Sequence, residues 1–453
     1  MRILRTLPIL LIWATLLCSC APSGFSAKGV PVSIMPNTSP GMLTAGYWIS
    51  NAPSPDKLIM DNTEIAQFNS TTMEKYRFVS ISDYGEYKSS TEIKAYILAI
   101  FKDIESQTFY GNGDRKISKS EVTDFKETFR LDELSGDMKA VTHAVVVNHT
   151  DLRVAPTNEH FYRGRNMRLD SLQITSLLVG TPVVVLWTNH DSSWYFVQSA
   201  VVSGWTPAEN IAYCTPYEIK QWESPTAFTV ITRYRAAIYD DEYLHAYKSW
   251  GSLGARLPLD TAIQKPTNAI PVQIPHRNKH GWLYVSTGYI AKSDANIGYL
   301  PYTTRNALNT AFEMLNDPYG WGGLDSKQDC SGFISKIFDT FGILLPRNSH
   351  PQGTAGEPLY SAGADVKRVL AESGIAGGTL VQFPGHIMLY IGTINSEPYA
   401  IHNLLSFYAD GGEDKDLRFP ARVAVSDLNL STKSKNGAYY QRVANISNII
   451  IKR

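Results

Sequence analysis

Between about Thr142 and Ala291 the chain runs in short β-rich segments broken by Gly, Pro, Asn and Asp, the texture of small antiparallel β domains. The segments on either side read differently. Ser90 to Ile104 opens on "SSTE" and sets Ile93, Tyr96, Ile97, Ile100, Phe101 and Ile104 at helical spacing, and Ser118 to Phe129 offers a second, more polar helix. From about Thr303 helix and strand alternate: a helix from Arg305 to Leu315, another after Cys330, then "GTLVQFPGHIMLYIGTI" and "EPYAIHNLLSF" as strands joined by a turn at Asn395 and Ser396. Together these textures give a multidomain α+β protein. A chain of 453 residues, 43% of them hydrophobic, has material for several packed cores.

The N-terminus reads as an export signal. Arg2 and Arg5 precede an apolar run from Leu7 to Leu17, too short and too interrupted for a comfortable membrane span. It ends in "LCSC", which resembles a bacterial lipobox with Cys20 as the lipidated residue, an ordinary signal peptide cut nearby being the plainer alternative. Acyl chains on Cys20 hold a protein at a membrane surface without spanning it. Ala21 rather than Asp after that cysteine leans towards the periplasmic face of the outer membrane. Residues 21–40, rich in Ser, Gly and Pro, have the composition of a tether. Cys214 and Cys330 are then the cysteines left, which excludes a disulfide framework and leaves one bridge between them open.

Lys plus Arg equals Asp plus Glu at 42 each, without the one-signed field that nucleic acid would require. No Cys-x-x-Cys pair, His-Glu-x-x-His helix or Walker-type loop occurs, so neither a metal nor another cofactor is expected. "YGNGDRKISKSE" (Tyr110 to Glu121) lacks the order of a calcium loop and reads as a turn before a helix.

A weak internal repeat marks the β-rich region. "WYFVQSAVVSGWT" (Trp194 to Thr206) is echoed by "WLYVSTGYI" (Trp282 to Ile290). With "GTPVVVLWTNHDSSW" before the first copy, the pattern resembles the bacterial SH3-like domain, a small β-barrel, and implies two in tandem. Aromatic residues at strand spacing are more often core than binding site.

Cys330 stands where a glycine-rich loop meets an apolar-periodic helix. Phe333, Ile334, Ile337, Phe338 and Phe341 follow it at helical spacing, and Gly342 supplies a stop. A helix N-terminus offers unpaired N–H groups and positive potential, which favour thiolate. A nucleophilic cysteine also needs a base whose tautomer is fixed by a partner. His386 in "GHIMLYIG" and His402 in "AIHN" lie on consecutive strands, where hairpin pairing could bring them to one face. A lone Cys or His is more often a packed or satisfied residue than a catalytic one. The three in this order and these contexts point instead to a triad in which His386 takes the thiol proton and His402 orients it.

"YGWGGLDSKQDCSGF", "GHIMLYIG" and "AIHN" together resemble the NlpC-like cysteine peptidases, which cleave the peptide stems of bacterial cell walls and have a papain-like core. With the domains before it, the chain looks like the γ-D-glutamyl-L-diamino acid endopeptidases of that family. The resemblance implies a signal and lipobox at 1–20, a tether at 21–40, a mainly helical clip-like domain at 41–141, SH3-like barrels at 142–222 and 223–300, and a catalytic domain at 301–453. It makes Cys330 the nucleophile, His386 the base and His402 the third polar residue, and gives Tyr319 a place beside the oxyanion. Asp329, Ser331, Ser349 and Trp321 become substrate-binding candidates, an acidic Asp329 suiting a substrate with a free amine. Asn348 stands where some relatives have Asp, which implies weaker hold on an ammonium. In such relatives the first barrel closes one end of the cleft, so that only stems with a free N-terminal L-Ala fit, and spacing suggests Asp170 and Trp205 for that wall.

The expected reaction is cleavage after γ-D-Glu through an acyl-enzyme on Cys330, on peptidoglycan stems whose diamino acid is diaminopimelate. Two alternatives stay open: an amidase or endopeptidase on intact murein, and a non-catalytic wall-binding lipoprotein. Oligomeric state is not legible.

Overall fold

Burial is divided between two large apolar cores, and the N-terminal helices contribute to both. In the computed structural model residues 35–164, 167–264, 266–409 and 416–451 are described. The export signal, Cys20 and the tether up to residue 34 lie outside the described residues, and no helix among those described is long and apolar enough to cross a membrane.

Two of the last residues assigned to the tether, Met35 and Asn37, make specific contacts. Met35 is buried, the Asn37 amide donates to Asp427 at 2.9 Å, and the Tyr399 hydroxyl donates to the Asn37 carbonyl at 2.8 Å. Composition alone hid these contacts, because a single buried Met and two hydrogen bonds leave no periodic trace.

The helices after them divide between the two cores. Trp48 from helix Ala45–Asn51 and Ile65 and Phe68 from helix Asn62–Tyr76 pack with Leu308, Phe338 and Phe341 of the C-terminal domain. Ile93, Ile97, Phe101 and Ile104 from helix Ser90–Ser106 instead join Phe129, Phe196 and Trp205 of the first β domain. The segment 110–121 is a turn and short 3-10 helix (Asn112–Asp114), followed by helix Lys119–Glu127, whose capping box pairs Ser118 with Glu121.

The first β domain is an antiparallel sheet ordered Ile211–Tyr213, Thr142–Val146, Pro182–Thr188, Trp194–Ser199, Ser203–Pro207, Thr150–Arg153 and Gln173–Leu177. The second has a three-stranded sheet around Phe228–Ile231 and a four-stranded one in which Leu283–Ala291 pairs along its length with Ala269–Arg277. These sheets stay open where closed barrels were expected.

Trp205, suggested above as a cleft wall, is a core residue. It is 0% exposed and its ring stacks on Phe129 at 5.6 Å and meets Phe196 edge-on at 5.4 Å. Trp205→Ala is therefore expected to lower folding stability by about 3–5 kcal/mol, read as a fall in the denaturant midpoint.

The C-terminal domain sets helices Thr304–Phe312 and Cys330–Asp339 against a six-stranded antiparallel sheet. Its central strands are Thr379–Phe383, His386–Ile394, Glu397–Leu404 and Arg422–Asp427. The run 378–394, read above as one strand, is two: Phe383 pairs with His386 across Pro384 and Gly385, the glycine at φ +83°. That turn places His386 at the very start of its strand, at the mouth of the sheet.

Candidate active site

Phe333, Ile334, Ile337 and Phe338 are fully buried, and this apolar face fixes helix Cys330–Asp339 against the sheet. Asp329 is its N-cap, accepting from the Gly332 N–H at 2.7 Å. Cys330 thus occupies the first turn, 7% exposed, and its thiol receives the backbone N–H groups of Ile387 and Ser331. The contact with Ile387 brings this thiol against the strand that His386 opens. Cys330 and Cys214 are both free thiols, so the bridge left open above is not formed.

The two histidines meet only because their hairpin is irregular. Ile394 pairs with Glu397 and Thr393 with Pro398, but after a bulge at Tyr390/Gly392 the register becomes Tyr390 with Ala400 and Leu389 with Ile401. Without that extra residue His386 and His402 would sit on opposite faces; with it they share one. Gly392 takes φ +143° there, and an added Cβ would meet the Trp48 ring at 3.2 Å. The result is a chain of contacts: His386 Nε2 to His402 Nδ1 at 2.7 Å, then His402 Nε2 to Ser426 Oγ at 3.0 Å.

One set of tautomers satisfies this chain and leaves a base free. His386 carries its proton on Nε2 and donates to His402, which carries its own on Nε2 and donates to Ser426. His386 Nδ1 is then unprotonated. Asn403, next in sequence to His402, donates from its amide to the Gln328 carbonyl at 2.8 Å and so ties the histidine strand to the loop before Cys330.

Charge at the site is governed by burial. Burial pushes the Cys330 thiol up to about 12, Asp329 adds to the effect, and the Ile387 and Ser331 N–H groups and Arg347 oppose it. Burial therefore opposes the thiolate that the helix N-terminus and these N–H groups favour. Burial likewise takes His386 down to about 3, with the Arg442 charge a lesser cause, and lowers His402 well below its ordinary value. Both directions favour the neutral pair, thiol and imidazole, over the ion pair. Tyr319 is raised by burial and then by the negative charge available to Cys330 and Asp329, so it keeps the O–H that an oxyanion donor needs.

Asp329 is saturated rather than available to an amine. Its Oδ1 accepts from Gly332 N–H, from Ser331 Oγ at 3.1 Å and from Arg347 at 3.2 Å; its Oδ2 accepts from Gly322 N–H at 3.0 Å and from Arg347 at 2.6 Å. Burial works against this charge, and Arg347 with the two N–H groups overrides it, holding the carboxyl below the usual carboxylate range. Ser331 is buried in the same cluster and accepts from Arg347 at 2.8 Å. Arg347 Nε reaches Thr175 Oγ1 of the first β domain at 2.7 Å. Asn348 is exposed and makes no side-chain cap for the helix Ser349–Gly353, and Ser349 is half-buried at its start.

The first β domain reaches the cleft, by residues other than those suggested. Asp170 is 0% exposed. It pairs with Arg153 and His160 at 2.9 Å each and accepts from the Phe161 and Leu172 N–H groups, so it organises its own domain. Leu169, beside it in sequence, lines the cleft together with Trp321, Tyr319 and His386. The Gln173 amide donates to the Gly322 carbonyl at 3.1 Å. Gly322 has φ +61°, and an added Cβ would lie 2.6 Å from Gln173 Cγ. Gly322→Ala is expected to cost at least about 1–2 kcal/mol from left-handed backbone strain, and more from this clash, measured by chemical denaturation.

Arg347, Ser426 and Asn403 were not singled out from sequence. Arg347 alone left a signal, a charge closing the apolar run "ILLPR"; Ser426 acts through sheet register and leaves none.

Residues 316–412 match the NlpC/P60 family, and residues 158–207 match the SH3 domain of SH3b1 type. The chain carries an NlpC/P60 domain. Two curated relatives, both called γ-D-glutamyl-L-lysine dipeptidyl-peptidase, resemble it. That of Bacillus cereus is 29% identical over 154 residues, 34% of this chain and 44% of its own. That of Bacillus subtilis is 33% identical over 85 residues, 17% of this chain and 29% of its own. The chain thus spans less than half the length of these relatives. An NlpC/P60 endopeptidase from Photobacterium damselae subsp. piscicida superposes with a TM-score of 0.71 at 21% identity, over 89% of this chain and 96% of that one, which shows a shared fold. Cys330, His386 and His402 all lie within the residues that match this family.

Proposed function

We propose that the protein is a cysteine endopeptidase that cleaves peptidoglycan stem peptides at the γ-D-glutamyl–diamino acid bond. The observation that carries this reading is the continuous arrangement of Cys330 on a helix N-terminus against the strand of His386, with His386 oriented by His402 and Ser426. As substrate enters, His386 Nδ1 takes the thiol proton while sulfur attacks the amide carbon; Tyr319 and the Cys330 N–H face the developing oxyanion. The protonated His386 then delivers its proton to the departing amine, and water resolves the acyl-enzyme.

A short stem with a free N-terminal L-Ala is the favoured substrate. Support comes from the first β domain, which touches the loop 321–326 and Arg347 and so stands where a longer chain beyond D-Glu would have to pass. With Asp329 saturated and Asn348 neutral, closure rather than a carboxylate carries this selection. Export and lipid attachment through Cys20 complete the reading.

The test offers L-Ala-γ-D-Glu-diaminopimelate and intact muropeptides to the protein and to Cys330→Ala, followed by mass spectrometry. L-Ala-γ-D-Glu released from the tripeptide only, and only with Cys330 present, supports it. Cleavage of intact muropeptides points to a wall-remodelling hydrolase, and no Cys330-dependent product sinks the enzyme reading for these substrates.

A further inference from the structure

Among the described residues the cleft is charged at one place along its wall. Its wall runs from Leu169, Tyr319 and Trp321 past His386 to Tyr439 and Arg442, and among the described residues Arg442 is the formally charged side chain that lines it. The other guanidinium of the site, Arg347, is consumed by Asp329. Arg442 has no carboxylate within ion-pair distance among the described residues. It lies on aromatic rings instead, 4.4 Å from the Phe383 centroid and 5.6 Å from that of Tyr439.

Those rings fix its position relative to the chemistry. Phe383 packs on His386 at 5.2 Å, and Tyr439 lies 6.1 Å from His386. The Arg442 charge is felt at His386, where it helps to keep the imidazole neutral. A stacked guanidinium keeps its N–H edge free for a planar acceptor. His386 is the group that protonates the departing amine, so whatever sits beside it on this side belongs to the leaving group.

Resting on the function proposed above, we propose that Arg442 is a specificity residue that binds a carboxylate borne by the leaving-group amino acid. Two carboxylates have this chemistry: the side-chain carboxylate of a diaminopimelate-type residue, which lysine lacks, and the main-chain carboxylate of a stem that ends there. The Arg442 charge on this wall favours either over a neutral side chain.

The experiment uses the full chain and four tripeptides, L-Ala-γ-D-Glu followed by diaminopimelate or lysine, each as free acid and as C-terminal amide. For the unaltered protein and for Arg442→Gln, the readout is the ratio of kcat/KM between carboxylate-bearing and carboxylate-free substrates, split into kcat and KM. A ratio that falls about tenfold or more in the variant, through KM, supports the proposal. Sensitivity to the side-chain carboxylate assigns a diaminopimelate site, and sensitivity to amidation assigns a chain-terminus site. Arg442→Lys should restore part of the ratio, because the charge returns without the fork.

An unchanged ratio overturns the inference even if all rates fall together, since a purely structural or electrostatic role at His386 acts on every substrate alike. If the unaltered protein cleaves none of the four, the function above fails on its own. Calorimetric binding of the same peptides to Cys330→Ala, with and without Arg442→Gln, then decides the subsite separately: binding that needs neither the carboxylate nor Arg442 sinks it.

Discussion

Replacing Arg347 by Met is expected to lower folding stability by about 3–5 kcal/mol, because it leaves the Asp329 carboxylate buried without its cation. Stem-peptide hydrolysis should fall as well, by about two orders of magnitude, since small displacements of a nucleophile carry losses of that size. The guanidinium touches three things at once: Asp329, which caps the nucleophile helix; Ser331, next to the nucleophile; and Thr175 of the first β domain. Its loss therefore loosens both the cap and the contact with the first β domain. Arg347→Lys should rescue poorly, because one ammonium cannot span both Asp329 oxygens and Thr175. The double variant Asp329→Asn, Arg347→Met removes both charges and should recover a good part of the stability, though not the activity. Denaturant midpoints and kcat/KM on the free tripeptide measure the two effects. A single Arg347→Met variant that is as stable as the unaltered chain would show that Asp329 does not depend on this pair.

How far the sequence reaches can be judged on these same residues. Cys330 was legible because apolar residues at helical spacing fix a helix start beside it, and Phe333, Ile334, Ile337 and Phe338 keep that pattern in the folded helix, with Phe341 in the turn after it. His386 and His402 were legible as neighbours in order but not in geometry: with a plain turn at Asn395 and Ser396 they would face apart, and the bulge at Tyr390/Gly392 that joins them has no signature beyond one glycine in a strand. Asp170 and Trp205 show the opposite failure. Both lie in the right domain, yet spacing along a strand does not say which face is covered, and helix Ser90–Ser106 packs over the face that carries Trp205. The clip-like region was read as a domain because its helices are amphipathic; which core each helix joins is a long-range matter that amphipathicity leaves undetermined. Arg347 and Ser426 depend on partners 172 and 24 residues away, beyond the reach of any local pattern.

The second large effect concerns the proton shared by Cys330 and His386. With the thiol pushed up to about 12 and the imidazole down to about 3, the resting pair is uncharged across the neutral range, and the thiol proton moves only as attack begins. Alkylation of Cys330 by iodoacetamide at neutral pH should then be about 10–100-fold slower than for an ordinary thiol, since the upward shift cuts the thiolate fraction by more than the greater nucleophilicity of a more basic thiolate restores. His386→Ala removes the acceptor and should lower hydrolysis by about 10²–10⁴-fold, with part of the loss recovered as rising pH ionises the thiol directly. Stability carries the same signature with a definite sign. Between about pH 6.5 and 3 the unfolded chain holds a proton on His386 that the folded chain does not, so this contribution is complete above 6.5 and declines on acidification. The slope is up to about 1.4 kcal/mol per pH unit for His386, and His402, also lowered by burial, adds in the same direction. His386→Ala should flatten that acid dependence while leaving the neutral-pH fold intact. Rapid alkylation of Cys330 at pH 5, with hydrolysis undiminished there, would instead show a preformed thiolate–imidazolium pair, in which the helix N-terminus and the Ile387 and Ser331 N–H groups outweigh burial.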